Sequence, residues 1–443
     1  MKTLFLYFFL FSIPVLSQKI LPERERAAVI DNILEDRMVN LLPELMQKAN
    51  IDMWVIIGRE YNEDPVMKTM LPAVWLSARR RTILVFTKKE VNNEVERLAI
   101  ARYDVGNLLK GEWDINVNPN QWDAVIRIIK DRNPKKIGLN FSKYYAHADG
   151  LTFSEHQEFL EKLPAEYHNK IVSAADLAVS WLETRTKSEM ILYQQICRIS
   201  HEIIAEAFSD QVIQPGVTTT DDIVWWMRQR VTDLGLETWF HPTVDIQRND
   251  NGKNFDHLKT FSKTTEKQVV MPGDLLHCDF GITYLRLNTD QQQHAYILKP
   301  GETEVPEYLK NAFQKGNRFQ ECLTENFKEG KTGNEILASA LAQSKKENIN
   351  GTIYTHPIGN HGHAAGPTIG MWDNQGKTIG SGDYPLNPNT AYSIELNAAV
   401  EISEWKKTIR IMLEEDGFFD EKGVFRYIDG RQKEIFMIPR KIN

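Results

Sequence analysis

The chain has 443 residues, of which 42% are apolar and 26% charged, with ten tryptophans and twenty phenylalanines. That length suggests two domains, and the apolar content excludes disorder by composition. A formal charge of -7, with no basic run interleaved with aromatics, excludes a nucleic-acid partner bound by phosphate neutralisation.

Residues 1–17 open with Met1-Lys2, run through an apolar stretch from Leu4 to Phe11 and close on Val15-Leu16-Ser17, the layout of a secretory signal. Pro14 interrupts the stretch, which is shorter than the roughly 18 apolar residues a bilayer span needs. The mature chain is therefore expected to begin near Gln18 and to be exported, periplasmic or secreted, without a membrane span. Cys197, Cys278 and Cys322 are odd in number and far apart, and no Cys-x-x-Cys pair exists. They predict neither a disulfide framework nor thiolate zinc nor thioredoxin-like redox chemistry.

From Ile51 to Phe141, short apolar runs alternate with helical stretches. Met53–Ile57, Thr82–Phe86 and Lys136–Phe141 read as buried strands, while Trp122, Val125, Ile126 and Ile129 recur at helical spacing. This predicts an α/β domain over residues 18–178. Nothing in it reads as catalytic, and Arg79-Arg80-Arg81 reads as a solvated strand entry rather than an anion site.

A second region begins near Glu183, where Leu192, Ile196, Ile199 and Ile203 mark one face of a long helix that fades before the turn Pro215-Gly216. The segments Gln214–Ile223 and Lys328–Ile336 resemble one another, each following one helix and opening the next, which hints at an internal duplication. After the first copy, the strand-like Leu275–Phe280 carries Asp279, and Asp290 follows beyond Gly281. A hairpin would set these two carboxylates face to face across paired strands. Two buried like charges repel strongly unless a cation neutralises them.

After the second copy, the glycine-rich loop Thr355–Pro367 holds His356, His361 and His363, three of the eleven histidines. Glu395 then sits in the apolar run Ala391–Leu396, and Glu414 and Glu415 close the run that starts at Ile409. Four carboxylates and a histidine, in the order Asp, Asp, His, Glu, Glu, form a hard, oxygen-rich set. It suits two divalent ions of octahedral type such as Mn2+, with Zn2+, Co2+ or Fe2+ as substitutes.

These residues resemble the pita-bread metallopeptidases, the superfamily of Xaa-Pro aminopeptidases, prolidases, methionine aminopeptidases and creatinases. Asp279 and Asp290 are eleven residues apart, the family's spacing for its first two ligands. Gly362–Gly366 resembles its Gly-His-Gly-x-Gly ligand loop, Tyr392–Glu395 its Thr-Ile-Glu strand, and Arg410–Glu415 its final ligand strand. Val172–Leu177 and Arg185–Glu189 resemble the junction between an N-terminal creatinase-type domain and the catalytic domain, which selects the longer members.

The resemblance implies an α/β N-terminal creatinase-type domain followed by an α+β pita-bread catalytic domain over 179–443, with a pseudo-two-fold duplication. It implies a dinuclear exopeptidase acting on peptides, of Xaa-Pro aminopeptidase type, and a homodimer as a common state. Asp279, Asp290, His363, Glu395 and Glu414 would be the metal ligands, with Asp290 and Glu414 bridging. Glu395 would also be the general base. His361 or His356 would hydrogen-bond the tetrahedral intermediate, unless His356 is structural. A prolidase-type dipeptidase, a non-peptide C–N hydrolase or lyase on the same fold, and a metal-free binding scaffold are the alternatives.

The chain departs from the family at four points. Glu395-Leu396-Asn397 replaces Glu-Pro-Gly, and His361 competes with His363 for the ligand position. The family's second histidine, seven residues after the ligand, would fall on Gly370. Its upstream histidine has no clean match, leaving His241 and His257 as candidates.

Overall fold

The computed structural model describes residues 20–89, 94–250 and 268–439. The expected signal at 1–17 and the candidate His257 lie outside them. Met53–Arg59 and Arg81–Lys88 pair antiparallel at the centre of a six-stranded sheet. Its order is Lys110–Gly111, Val95–Ala99, Arg81–Lys88, Met53–Arg59, Ile137–Leu139, Ile171–Ser173. Trp54, Ile56, Leu84 and Phe86 enter one core. Met53, Val55, Ile57, Ile83 and Val85 enter another, together with Trp122, Val125 and Ile129 of helix Gln121–Arg132. Burial on both faces is why these strands are unbroken apolar runs rather than alternating ones.

The expected boundary at residue 178 needs correction. It cuts the helix Ala175–Glu183, whose Leu177, Ala178, Val179, Trp181 and Leu182 all pack into the first domain's core. Packing changes partner only after Glu183, at the capping box of Thr186 and Glu189 that opens helix Lys187–Ala207. Ile196, Ile199 and Ile203 of that helix are buried in the catalytic core, with Leu192 packed at its edge.

The duplication is visible in the elements. Thr219 with Asp222 caps helix Thr220–Asp233, and Thr332 with Glu335 caps helix Gly333–Lys346 in the same way. Each follows a longer helix, Lys187–Ala207 in one half and Glu307–Thr324 in the other. The first half carries a four-stranded sheet ordered Phe436–Ile438, Gln291–Ile297, Leu275–Phe280, Thr243–Gln247. The second carries Asn350–Ile353, Leu396–Ile402 and Lys407–Leu413, beside a further sheet of His356–Pro357, Thr390–Ser393, Asp416–Phe419 and Phe425–Tyr427. An antiparallel bridge between Gln292 and Glu414 joins the halves. Cys197, Cys278 and Cys322 are free and buried, and no described helix is long and apolar enough to cross a membrane.

Where the two domains meet, Glu189 accepts from Arg37 at 2.8 Å and from Arg185 at 2.9 Å, with all three side chains buried. Arg37 also donates to the Thr184 carbonyl at 2.8 Å. Burial opposes ionisation of Glu189, and the two guanidiniums overcome it, leaving its carboxyl below the usual range. Breaking a buried ion pair on one side leaves uncompensated charge, at a cost of about 3–5 kcal/mol. Glu189→Gln is therefore expected to lower the stability of the domain junction by about that amount, read as a shift in the denaturant midpoint. A loss below about 1 kcal/mol, the scale of an exposed pair, would mean that the guanidiniums find other compensation.

Candidate metal centre

Strands from both halves deliver the acids. Leu275–Phe280 pairs antiparallel with Gln291–Ile297, and the register sets Gln292, not Asp290, opposite Asp279. The intervening residues form a small hairpin of Thr283–Tyr284 and Leu287–Asn288, so Asp290 enters one step before its strand. The expected face-to-face pair is thus a diagonal pair on one face, still within carboxylate reach. Glu414 follows strand Lys407–Leu413 and is fixed by its backbone bridge to Gln292, with N···O distances of 3.0 and 3.3 Å. The Ser393 hydroxyl donates to its carboxylate. Glu395 lies between strands Thr390–Ser393 and Leu396–Ile402, where its N–H donates to the Thr355 hydroxyl at 3.0 Å. Glu415 points the other way, to His201 Nε2 at 2.6 Å and Gln293 Nε2 at 3.0 Å.

The histidines depart from expectation. His356 Nε2 lies 3.7 Å from Asp290 Oδ2, 3.7 Å from Glu414 Oε1 and 3.9 Å from Glu395 Oε2. Its Nδ1 lies 3.0 Å from the Pro357 carbonyl, which sets the proton on Nδ1 and turns the Nε2 lone pair toward the acids. The central imidazole is therefore His356, not His363. His363 sits on the outer, exposed side of it, ring centroids 4.6 Å apart.

This shift restores a family feature that seemed lost. Counting seven residues from His356 reaches His363, where counting from His363 reached Gly370. His361 belongs elsewhere: its ring packs 4.4 Å from that of His147, and it lines a cavity of about 830 Å³ with Lys68, Glu237 and Arg286. The cluster of acids contributes no wall to that cavity. His241 is exposed and turns to Arg228 at 3.2 Å.

Two residues that sequence reasoning passed over shape the site. Trp239 donates its indole N–H to the Thr289 carbonyl at 2.8 Å and meets His363 edge-on, centroids 5.3 Å apart. A Cβ at Gly362 would lie 2.4 Å from that indole, so the loop can run flat against it only as glycine. Gln292 Nε2 donates to Glu395 Oε1 at 2.6 Å and to Glu414 Oε2 at 2.7 Å.

Electrostatics test the set for a cation. Burial, and next the neighbouring Glu414, push the carboxyls of Asp279, Asp290 and Glu395 well above their usual range. Asp279 Oδ1 and His356 Nε2 are buried without a hydrogen-bond partner. Both observations describe acceptors that a positive ion would satisfy. Ligand atoms converge within 4.8 Å in the groups Asp279, Asp290, Glu414 and His356, Glu395, Glu414, with Asp290, His356, His363 as a third. Glu414 is shared by the first two groups, and Asp290 by the first and third. The donors present fit divalent ions, which Asp279, Asp290, His356, Glu395 and Glu414 would hold.

Comparison with known proteins agrees with this architecture. The X-Pro aminopeptidase from Thermotoga maritima MSB8 superposes with a TM-score of 0.62 at 19% identity, over 89% of this chain and 100% of its own. The Xaa-Pro dipeptidase from Bacillus anthracis gives 0.57 at 16% identity, over 94% and 100%. The N-terminal domain of FACT complex subunit SPT16 from chickpea, Cicer arietinum, gives 0.53 at 13% identity, over 93% and 97%. The search of curated proteins gave no match. Residues 192–418, more than half of the chain, match the sequence profile of metallopeptidase family M24. By that match, the chain belongs to that family.

Proposed function

We propose that this protein is an exported two-metal exopeptidase that hydrolyses the N-terminal peptide bond ahead of proline, with Mn2+ as its working ion. The observation that carries the reading is the pair of overlapping ligand groups, Asp279, Asp290, Glu414 and His356, Glu395, Glu414, which share Glu414. The likeness in fold to the Thermotoga X-Pro aminopeptidase and the Bacillus Xaa-Pro dipeptidase supports the proline preference. The oxygen-rich donor set supports manganese.

When bound, two divalent ions supply an activated water near neutral pH and polarise the scissile carbonyl. The protein's own groups do the rest. Glu395 lies at the edge of the cluster, where it accepts the water proton and returns it to the leaving nitrogen. His356, its proton held on Nδ1 by the Pro357 carbonyl, keeps its ring fixed through the cycle. His363, exposed and braced by Trp239, is placed to donate to the oxygen on which charge develops. That role was expected of His361 or His356.

Turnover of a Xaa-Pro tripeptide and a Xaa-Pro dipeptide with saturating Mn2+ tests the reading and separates an aminopeptidase from a dipeptidase. Glu395→Gln is expected to lower turnover by about 10²- to 10⁴-fold, because an amide can offer one oxygen to an ion but cannot accept a proton. Its metal content should fall less than that of Asp290→Asn, since Asp290 belongs to two of the candidate ligand groups. Near-normal turnover in Glu395→Gln would remove it as the base.

The histidine register has its own test. His356→Ala is expected to lose bound metal and turnover together, whereas His363→Ala should keep both ions and lose turnover. The opposite pattern would return the ligand position to His363. Export is checked by N-terminal sequencing of the protein recovered from its cell, where a start near Gln18 is expected and an intact Met1 would refute it.

A further inference from the structure

Gln292 stands where the two halves cross. Its backbone pairs with Asp279 on one side and with Glu414 on the other. Its side chain is buried, and its Nε2 donates to one oxygen of each ligating glutamate, Glu395 Oε1 at 2.6 Å and Glu414 Oε2 at 2.7 Å. The other oxygens, Glu395 Oε2 and Glu414 Oε1, the latter also accepting from the Ser393 hydroxyl, are the ones that face His356, at 3.9 and 3.7 Å.

An amide can meet two carboxylates only through its nitrogen, so the glutamates decide which end of Gln292 faces them. Its oxygen then faces His277 Nε2 at 2.9 Å, and that nitrogen must carry the proton. His277 in turn is walled in by its cross-strand neighbours, Asp245 at 3.6 Å and the His294 ring at 5.2 Å. His294 cannot turn: its Nδ1 meets the Leu276 carbonyl at 2.9 Å and its Nε2 accepts the Met412 N–H at 3.1 Å.

We infer that Gln292 is a positioning residue, which holds one oxygen of Glu395 and one of Glu414 so that each presents its other oxygen beside His356, with His277 locking the amide in that orientation. The inference rests on reading the cluster as a two-metal centre. A neutral donor suits the place: a lysine or arginine there would compete with the ions, whereas an apolar residue would let two like charges swing apart. Two hydrogen bonds also remove rotamer freedom that a glutamate would otherwise lose on binding the ion.

The test is titration of the metal-free full chain with Mn2+ by calorimetry, alongside its thermal midpoint, for wild type, Q292M, H277L, H277Q and Q292M/H277L. Q292M keeps the volume and removes both donations. It is expected to weaken Mn2+ binding by about 10- to 100-fold. H277L should weaken it in the same direction by less, and H277Q, whose amide nitrogen can replace the Nε2 donor, should restore it. Because His277 acts through Gln292, the double variant should bind no more weakly than Q292M alone. A role confined to the fold would lower the thermal midpoint and leave the Mn2+ affinity of the folded protein unchanged, and that result would overturn the inference. Should Q292M not fold, H277L against H277Q decides the matter by the same readout. Two ions bound by wild type, and bound as tightly by Q292M, refute the role of Gln292 alone. A wild type that binds no Mn2+ refutes the metal-centre reading beneath it.

Discussion

Four carboxylates crowd one small, largely buried space, and their mutual repulsion governs how the rest of the molecule is arranged around them. Two unit charges 4 Å apart interact by about 4 kcal/mol at an effective dielectric near 20. Asp279, Asp290 and Glu395 register this directly, since burial and Glu414 push all three carboxyls upward. Such a cluster cannot ride on flexible loops, because side chains free to move would separate. Strands from two half-domains carry it instead, locked where the backbones of Gln292 and Glu414 bridge. Donors then meet the acids: the Ser393 hydroxyl on Glu414 and the Gln292 amide on both glutamates, while the Thr355 hydroxyl holds the backbone carbonyl of Glu395.

Among the described residues, none of the first domain's joins the candidate ligand groups, yet the domain acts on the histidine loop. Tyr145 donates its hydroxyl to the Gly366 carbonyl at 3.0 Å, and His147 packs on His361. From the other side, Arg286 reaches the carbonyl of Leu71 at 2.6 Å. Arg185, part of the buried ion pair at the junction, also donates to Asn360 at 3.1 Å. The segment from Asn360 to Gly366 is thus clamped at both ends by contacts that depend on how the domains dock. His363, between those clamps, owes its position to inter-domain packing as much as to Trp239.

Periodicity carried much of the fold. The unbroken apolar strands, the helix around Trp122 and the paired helix starts at Thr219 and Thr332 all stood out, because burial on two faces and capping leave local marks. What local pattern could not supply was register and three-dimensional neighbourhood. The small hairpin between Thr283 and Asn288 shifted Asp290 from opposite Asp279 to the diagonal. The boundary set at residue 178 falls inside helix Ala175–Glu183, which packs backward into the first core. Among three histidines in eight residues, literal likeness to a glycine-rich loop favoured His363. The structure sets His356 against three of the acids and leaves His363 within ligand reach of Asp290 and His356, a neighbourhood that linear spacing alone does not give. Gln292 and Trp239 left no signal, because a glutamine inside a strand and a tryptophan in a loop are ordinary until their partners are known.

The architecture by itself says little about chemistry. The same layers superpose on the SPT16 N-terminal domain about as well as on the Bacillus dipeptidase, so the fold is compatible with more than one use. What separates the uses is the inner lining. A chain that used this fold only as a surface would be more stable with neutral, well-packed residues at positions 279, 290, 395 and 414, because each buried acid without a counter-charge carries a desolvation cost of several kcal/mol. Here Asp290, Glu395 and Glu414 lie against one imidazole, with Asp279 beside Asp290 and Glu414, and Asp279 Oδ1 and His356 Nε2 have no hydrogen-bond partner. That arrangement destabilises the metal-free protein and is relieved by a cation. Stability and metal binding are therefore coupled at this point, and the acids make physical sense as the ligands of a working centre rather than as parts of a scaffold.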